Sequence, residues 1–477
     1  MKDRNNPDGK KRVSSIAREE GLRRPIPDMF DGPVLKLMAR LASPIFFGML
    51  FQLLYNVTDT IWVSRIDLAD PSYVGGTGII FPFLFLAIAL NQGIVVGTSS
   101  LVARAIGEGN TRVLDKTAES GLAIGIVVAV AMAVPTYVFS TGILRLLGAE
   151  GDYLVHGSEY LRFIVPAGVL LFVSSVFFGI LQGEGMMKYV MTAMIIGTVG
   201  NIILDPIFIF TLKLGIRGAA LATSVSQGLA VAFIISVFVR RKTQVQVHWK
   251  LAKVDWQTIK KILAVGLPQS TGQVLMALSF FFFNRVVVSI DPLALTAFAL
   301  CGRLDQAVLM PIFAIGAALI TMIGQNAGRG NIDRVREIWR KSLLTAMGLV
   351  VLTAAVMVLL APKIYPFFSD LDQVVHYAVL QTRIVEFTFV FAVIGILSRS
   401  FFQAIGYPIP ALLITMSRLL LLAVPAMLLY VYVFDLKIYG VWLGIITGNI
   451  LAAVISVLWA SRTLRLMQEG KLKTAKT

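Results

Sequence analysis

Long apolar stretches alternate with short polar and basic segments along the whole chain. Each stretch holds about 20 residues, enough to cross the hydrocarbon core of a bilayer as a helix. The chain is 57% hydrophobic and 15% charged, with a mean hydropathy of +0.79, whereas soluble domains carry about 25% charged residues. No segment alternates with the strand period that a membrane barrel requires. The pattern predicts an all-α polytopic membrane protein.

Twelve stretches qualify as spanning helices, six in each half of the chain. They cover residues 42–64, 74–103, 118–141, 161–181, 189–211, 217–239, 262–289, 295–325, 343–362, 379–402, 409–433 and 439–460. This order predicts a basic tail over 1–41, a six-helix lobe over 42–239, a charged linker over 240–261, a second six-helix lobe over 262–461 and a tail over 462–477.

The formal net charge is +16, and most of the 43 lysines and arginines fall in the tails and in connecting segments on one side of the predicted spans. Cytoplasmic segments of membrane proteins carry this excess, so we expect both termini in the cytoplasm and the chain in the plasma (inner) membrane.

The basic residues form no aromatic-studded domain, which argues against a nucleic-acid partner. The first apolar stretch is too long for a signal peptide and lacks a cleavage site.

The two halves of the chain resemble each other. AIGEGNTRV, which contains Asn110, is echoed in the second half by NAGRGNIDRV, which contains Asn331. LQGEG, which contains Gly185, is echoed at the same spacing by FQAIG, which contains Gly406. Because each half has six spans, both repeats start on the same side, and parallel repeats of transporters bracket a midplane site. A channel would need a selectivity element, and the sequence contains none that we recognise.

An aspartate interrupts the first span, in the stretch YNVTDT. Gln52, Tyr55 and Asp59 are spaced by three and four residues and therefore share one helix face. A carboxylate in hydrocarbon must be paired, protonated or used, and intramembrane acids are functional by default. Gln52 and Tyr55 either line a cavity or pack between helices.

The fifth and sixth spans add further polar groups. In GNIILDP, Asn201 and Asp205 are i and i+4 on one face, and Pro206 can weaken the helix just beyond them. Thr223 taken alone is better explained by packing, because hydroxyls commonly bond to their own helix backbone. Together with Asp59, these groups suit a coupling ion, either a proton on a carboxylate or Na⁺ held by oxygen ligands. No other cofactor is expected.

The second half carries a different set of charges. Asp305 with Arg303, and Glu386 with Arg383, suggest internal ion pairs. An alternative function uses the basic residues, since a flippase for a lipid-linked saccharide or other lipid precursor needs cations to hold a pyrophosphate. The intramembrane arginines open to that task are Arg285, Arg303, Arg383, Arg399 and Arg418. An enzyme is not expected, because the chain has only three histidines and no aspartate cluster.

In these motifs the chain resembles the multidrug and toxic compound extrusion (MATE) transporters, and within them the DinF-like branch. The resemblance rests on YNVTDT in the first span, VARAIGEGN after the second, LQGEG after the fourth and GNIILDP in the fifth. It implies two six-helix lobes around a central cavity, and export of organic compounds, often cationic and amphipathic, in exchange for H⁺ or Na⁺. We therefore expect small organic molecules and the lipid bilayer as partners, and a monomer.

The resemblance also implies roles for single residues. The ion-coupling positions of the branch fall on Asp59, Asn201, Asp205 and Thr223. Pro44 falls where the first helix of that branch bends, and Gln52 and Tyr55 match positions that line the substrate cavity. The seventh span, SFFFFNRVVV, has no acid, so the acidic pair that another branch carries in its second lobe has no clear counterpart. This departure favours ion coupling in the first lobe.

Overall fold

The computed structural model describes residues 29–67, 69–248, 254–475 and 477, and within these ranges the chain is helical, without strands. The basic tail before residue 29 lies outside the described residues, as do residues 249–253 of the predicted linker.

Among the described residues, twelve helices are long and apolar enough to span a membrane, which confirms the predicted all-α architecture. In chain order, α1 to α12 are Val34–Ser64, Phe81–Gly107, Thr111–Val138, Val165–Gly183, Met187–Thr211, Gly215–Val239, Trp256–Ile290, Pro292–Gly328, Ile332–Phe367, Asp372–Ala404, Pro408–Val433 and Lys437–Gln468. Most extend beyond the predicted apolar stretches, because polar turns continue the helices at their ends. Three short helices also lie between spans, at Ser72–Ile79, Ser140–Leu146 and Gly151–Phe163.

The described chain divides into two compact units. The first contains residues 43–267, and the second contains residues 29–42 and 268–476. Both α1 and α7 therefore begin in one unit and end in the other, and each has a proline, Pro44 or Pro268, beside the change of unit. The predicted boundary at residue 262 differs from this division, because the start of α7 packs with the first unit. There, a Cβ at Gly97 of α2 would lie only 2.3 Å from the carbonyl oxygen of Ile262.

The internal repeat has a structural counterpart in how the third helix of each unit begins. Asn110 and Asn331 are the N-caps of α3 and α9, and each side chain accepts a hydrogen bond from the backbone N–H three residues later. Gly185 and Gly406 follow α4 and α10 with φ of 77° and 80°, a conformation that favours glycine. The repeated motifs are therefore the turns that set the helices of each unit.

An inserted residue shifts the register of the second repeat. Within α11, the segment Ser417–Leu422 is π-helical, whereas α5 is regular until Pro206. Equivalent residues of the two repeats are separated along the chain by one residue more after this segment than before it. The π-helical turn Ile207–Thr211 of the first repeat therefore corresponds to Leu429–Val433 of the second. A π-helical turn absorbs one extra residue within an α-helix, and it is often found at functional sites.

Candidate functional site

The site in the first unit starts from a single turn of α5. Asn201 and Asp205 are both fully buried, and the amide nitrogen of Asn201 donates to Asp205 Oδ1 at 3.0 Å. The regular α-helix ends at Pro206, which lacks a backbone N–H, and the chain continues in the π-helical turn Ile207–Thr211. The predicted pair on one helix face is therefore present just before a break in regular helix geometry.

Small residues let α6 approach α5 closely enough to add a hydroxyl. A Cβ at Gly218 would lie 2.6 Å from the carbonyl oxygen of Phe208, so only glycine fits there. Five residues further on, Thr223 is buried, and its Oγ1 accepts a hydrogen bond from the amide nitrogen of Asn201 at 3.2 Å. Thr223 thus belongs to the polar network, although its sequence context favoured packing.

The first helix supplies a phenol and a carboxyl group. The hydroxyls of Tyr55 and Thr223 share a hydrogen bond of 3.3 Å. Asp59 is half-buried one turn further along α1, close enough to Asp205 for their charges to interact. Three helices therefore converge on one polar cluster within the first unit, formed by Tyr55, Asp59, Asn201, Asp205 and Thr223.

Three buried oxygens of this polar cluster accept no hydrogen bond from the described residues: Asp59 Oδ1, Asn201 Oδ1 and Asp205 Oδ2. Buried polar atoms are nearly always satisfied, and a cation or a proton would satisfy oxygens of this kind on two interacting acids. Oxygen donors of this kind suit a proton or a hard monovalent cation such as Na⁺. Within the described part of the chain, no group of three or more histidine, cysteine or acidic side chains could hold a metal ion.

Tyr160 was missed by sequence reasoning. It lies on the short helix Gly151–Phe163, is 6% exposed, and is within electrostatic range of Asp59, Tyr55 and Asp205. Tyrosine is common at the ends of spans, and this helix lies between two spans, so only the fold brings its ring to the polar cluster.

Two of the predicted residues stand apart from the polar cluster. Gln52 is exposed on α1, one turn before Tyr55, and has no hydrogen bond to the cluster. Pro44 lies inside α1, which continues through it as a helix. Their roles in lining a cavity and in bending α1 stay predictions.

The predicted ion pairs of the second unit are wrong. Asp305 on α8 and Glu386 within α10 interact with each other electrostatically, and neither forms a salt bridge with Arg303 or Arg383 in the described structure. Residues 303 and 305 point to different sides of a helix, and the contact between α8 and α10 cannot be read from local spacing. Glu386 Oε1 is buried without a partner.

Twelve spanning helices in two repeats, with a buried polar cluster in the first, define a multi-pass membrane transporter. The MatE family model matches residues 44–207 and 268–429, which begin at the two prolines where α1 and α7 change units. The chain belongs to the MatE family, whose members are secondary transporters and not enzymes. The DinF-like branch stays a prediction.

Curated relatives and solved structures agree with this assignment. The chain is 24% identical over 432 residues to a probable multidrug resistance protein NorM of Thermotoga maritima, covering 89% of this chain and 92% of the relative. It is 30% identical to the structure of a MOP superfamily transporter from Pyrococcus furiosus, with a TM-score of 0.86 and coverage of 92% and 98%. It is 32% identical to the MATE transporter ClbM in complex with Rb⁺, with a TM-score of 0.84 and coverage of 93% and 99%.

Proposed function

We propose that the protein is an antiporter that exports organic compounds, often cationic and amphipathic, in exchange for H⁺ or Na⁺ by alternating access. The observation that carries the proposal is the pair of interacting acids, Asp59 and Asp205, with orphaned oxygens inside a spanning unit. A ligand that neutralises these acids removes buried charge, which favours the packing of α1 against α5 and α6. Support also comes from the relatives, of which one is named for multidrug resistance and one was solved with a monovalent cation.

The mechanism requires the bound cation to shift the equilibrium between two conformations of the protein. Protonation or Na⁺ binding at the polar cluster changes how α1 packs, and Pro44 gives α1 a point at which to bend. The ion gradient then drives the cycle. One charge that crosses 100 mV supplies about 2.3 kcal/mol, which sustains roughly a fiftyfold substrate gradient if fully coupled. Gln52 and Tyr55 are the candidate substrate contacts on the same helix.

The test is transport in proteoliposomes with separately imposed pH and Na⁺ gradients and a panel of organic cations. The wild type is expected to export under one of the two gradients, which identifies the coupling ion. The variant Asp59→Asn keeps the shape of the side chain but loses its charge, so export should fall to background. Asp67→Asn, a carboxyl group in the loop after α1 that accepts from Ala69 N, is the matched control and should export normally. Export by the Asp59→Asn variant at the wild-type rate would contradict the proposal.

A flippase for a lipid-linked saccharide or other anionic lipid precursor is the second candidate. It is favoured by Arg399 on α10 and Arg418 in the π-helical segment of α11, which interact with each other electrostatically. Within the described residues neither has a carboxylate at salt-bridge distance, and Arg399 Nε is buried without an acceptor. Unpaired arginines inside spans suit an anionic ligand. Activity in the same proteoliposomes that needs neither gradient, or that acts only on a lipid-linked sugar, would favour this function.

We further propose that both termini face the cytoplasm and that the protein acts as a monomer. The basic residues at one end of the spans support the orientation. Cys301 is buried, so it provides a silent background for labelling. With Thr474→Cys, an impermeant maleimide should react in inverted membrane vesicles and not in intact cells, and the reverse would overturn the orientation. Light scattering of the detergent-solubilised protein measures the oligomeric state.

A further inference from the structure

A basic cavity lies in the second unit, between the start of α9 and the end of α12. Its volume is about 900 Å³, within the range of ligand sites. α9 begins at the end of the unit where α12 finishes, so both helices bring their charged ends to this cavity. The residues that matter here are Arg336, Trp339, Arg340, Leu458, Arg462 and Arg465.

The charges in the cavity are not balanced by protein. In the described structure, Arg336, Arg340 and Arg462 are exposed and have no carboxylate within salt-bridge distance, and no acidic residue lines the cavity. Arg465 has only a loose pair with Glu469, at 3.8 Å and 73% exposed. The nearby acids are engaged elsewhere: Asp333 accepts from Gln468, and Glu337 pairs with its helix neighbours Arg334 and Lys341. The cavity therefore has a strongly positive field with room for an anion.

A buried donor also points to a ligand. Trp339 lines the cavity, is 8% exposed, and packs near Phe401 with ring centroids 6.2 Å apart. Its indole nitrogen is buried and has no acceptor among the described residues. A buried tryptophan usually finds an acceptor for its N–H, so an oxygen of a bound group would complete the site.

Apolar surface continues directly from the charged cavity. Leu458 lies one helical turn before Arg462 and is 66% exposed, Val454 a turn further is 53% exposed, and Leu344 of α9 is 58% exposed. These residues lie on apolar spanning helices, so the cavity sits where an apolar surface meets a basic end. That arrangement fits a ligand with an anionic head and apolar chains. We propose that this cavity binds the phosphate head group of an anionic phospholipid, whose acyl chains lie along α9 and α12.

The experiment is native mass spectrometry of the full-length protein in detergent, titrated with phosphatidylglycerol or with zwitterionic phosphatidylcholine of the same chains. The wild type should retain phosphatidylglycerol selectively. The triple variant Arg336→Gln, Arg340→Gln, Arg462→Gln should lose about fivefold in affinity for each arginine, or about a hundredfold in total. Trp339→Phe keeps the ring but removes the donor, and it should weaken binding severalfold.

A matched control removes three other basic residues from helix ends on the same side, Arg112→Gln, Lys188→Gln and Arg240→Gln. Its net charge equals that of the cavity variant, and it should bind phosphatidylglycerol like the wild type. Equal losses in both triple variants, or equal binding of the two lipids by the wild type, would overturn the proposal. Displacement of the lipid by micromolar pyrophosphate would identify a soluble anion as the ligand and overturn it too. Size-exclusion profiles show whether each variant is folded. If the triple variant is not folded, the single variant Trp339→Phe still tests the proposal.

Discussion

Asn201 and Asp205 of the first unit correspond, in the register set by the π-helical segment of α11, to Ala423 and Met427 of the second. Ala423 is 4% exposed and Met427 is fully buried, and the place of Thr223 is taken by Ile445. Equivalent positions of the two repeats are therefore filled by apolar residues in the second unit and by polar and acidic residues in the first. The fold therefore does not require these polar groups, and their presence in the first unit supports the proposed ion site.

The two repeats also differ at the helix ends, where the basic cavity belongs to the second unit. Glu119 of the first unit is 5% exposed and accepts the backbone N–H of His248, so it holds the start of the linker after α6. At the equivalent place of the repeat, the second unit has Arg340, which lines the basic cavity. Glu184 likewise accepts from two linker N–H groups, whereas its counterpart is Ile405. The linker therefore occupies the place beside Glu119 in the first unit, whereas the equivalent place beside Arg340 in the second unit is open and basic.

Exchanging the equivalent core residues between repeats should have the largest effect on transport. Asp205→Met gives the first unit the residue of the second, so export should fall at least a hundredfold, to background. Folding should persist, since an apolar side chain of similar length replaces a buried acid. Proteoliposome export and thermal unfolding in detergent measure the two effects. Export close to the wild-type rate would mean that the polar cluster does not couple the ion.

The reverse exchange, which places an acid in the second unit, should lower the free energy of unfolding. Met427→Asp places an acid in an apolar, fully buried position without partners, which should cost about 3 kcal/mol of unfolding free energy. The volume-conserving Met427→Leu is the control and should cost less than about 1.5 kcal/mol. Thermal unfolding in detergent tells them apart. If both variants are equally stable, the second unit accepts polar groups at this site and the contrast between repeats fails.

The linker contact should have a smaller, local effect. Glu184 accepts the backbone N–H groups of Gln244 and Val245 at 2.8 Å each. Glu184→Gln leaves one acceptor oxygen and turns the other into an NH2 group that faces a backbone N–H, so we expect a loss of about 2 kcal/mol, or roughly thirtyfold faster amide exchange at these residues. The N–H of Ala475, which bonds to the carbonyl of Ile405, is the internal control and should be unchanged. Unchanged exchange at Gln244 and Val245 would show that the linker is held by other contacts.

The smallest expected effect is a pH dependence at the start of α7. The Lys116 ammonium, followed by the hydroxyl and N–H of Thr258, lowers the pKa of Asp255 to about 2. A lowered pKa in the folded state means that this contribution to stability is complete above the ordinary pKa of Asp and is lost as the pH falls from about 4 to 2. It should be worth about 1 kcal/mol as a helix cap. Thermal unfolding at pH 7 and pH 3 should therefore differ more for the wild type than for Asp255→Asn, and equal differences would contradict this origin.

Much of the fold follows from sequence because hydrocarbon forces every backbone polar group into a helix, so twelve apolar stretches give twelve spanning helices. The polar cluster was predictable in part, since Asn201 and Asp205 lie on one helix face. Thr223 and Tyr160 could not be placed, because their contacts depend on how closely α6 and the short helix Gly151–Phe163 approach α5. The predicted pairs of Asp305 with Arg303 and of Glu386 with Arg383 were wrong for the same reason, since the interaction of Asp305 with Glu386 joins two helices.

The exchange of helix starts between the units has a consequence for synthesis. Met29 and Phe30, just before α1, contact Asn326 and Arg329 of the second unit, and the hydrogen bond from Asn326 to the carbonyl of Met29 closes a separation of 297 residues. At about 5–20 residues per second, a ribosome takes roughly 15–60 s to reach those partners. The beginning of the chain must therefore wait until most of the protein has been made. A fragment that ends at the linker would leave the start of α1 without the residues that hold it.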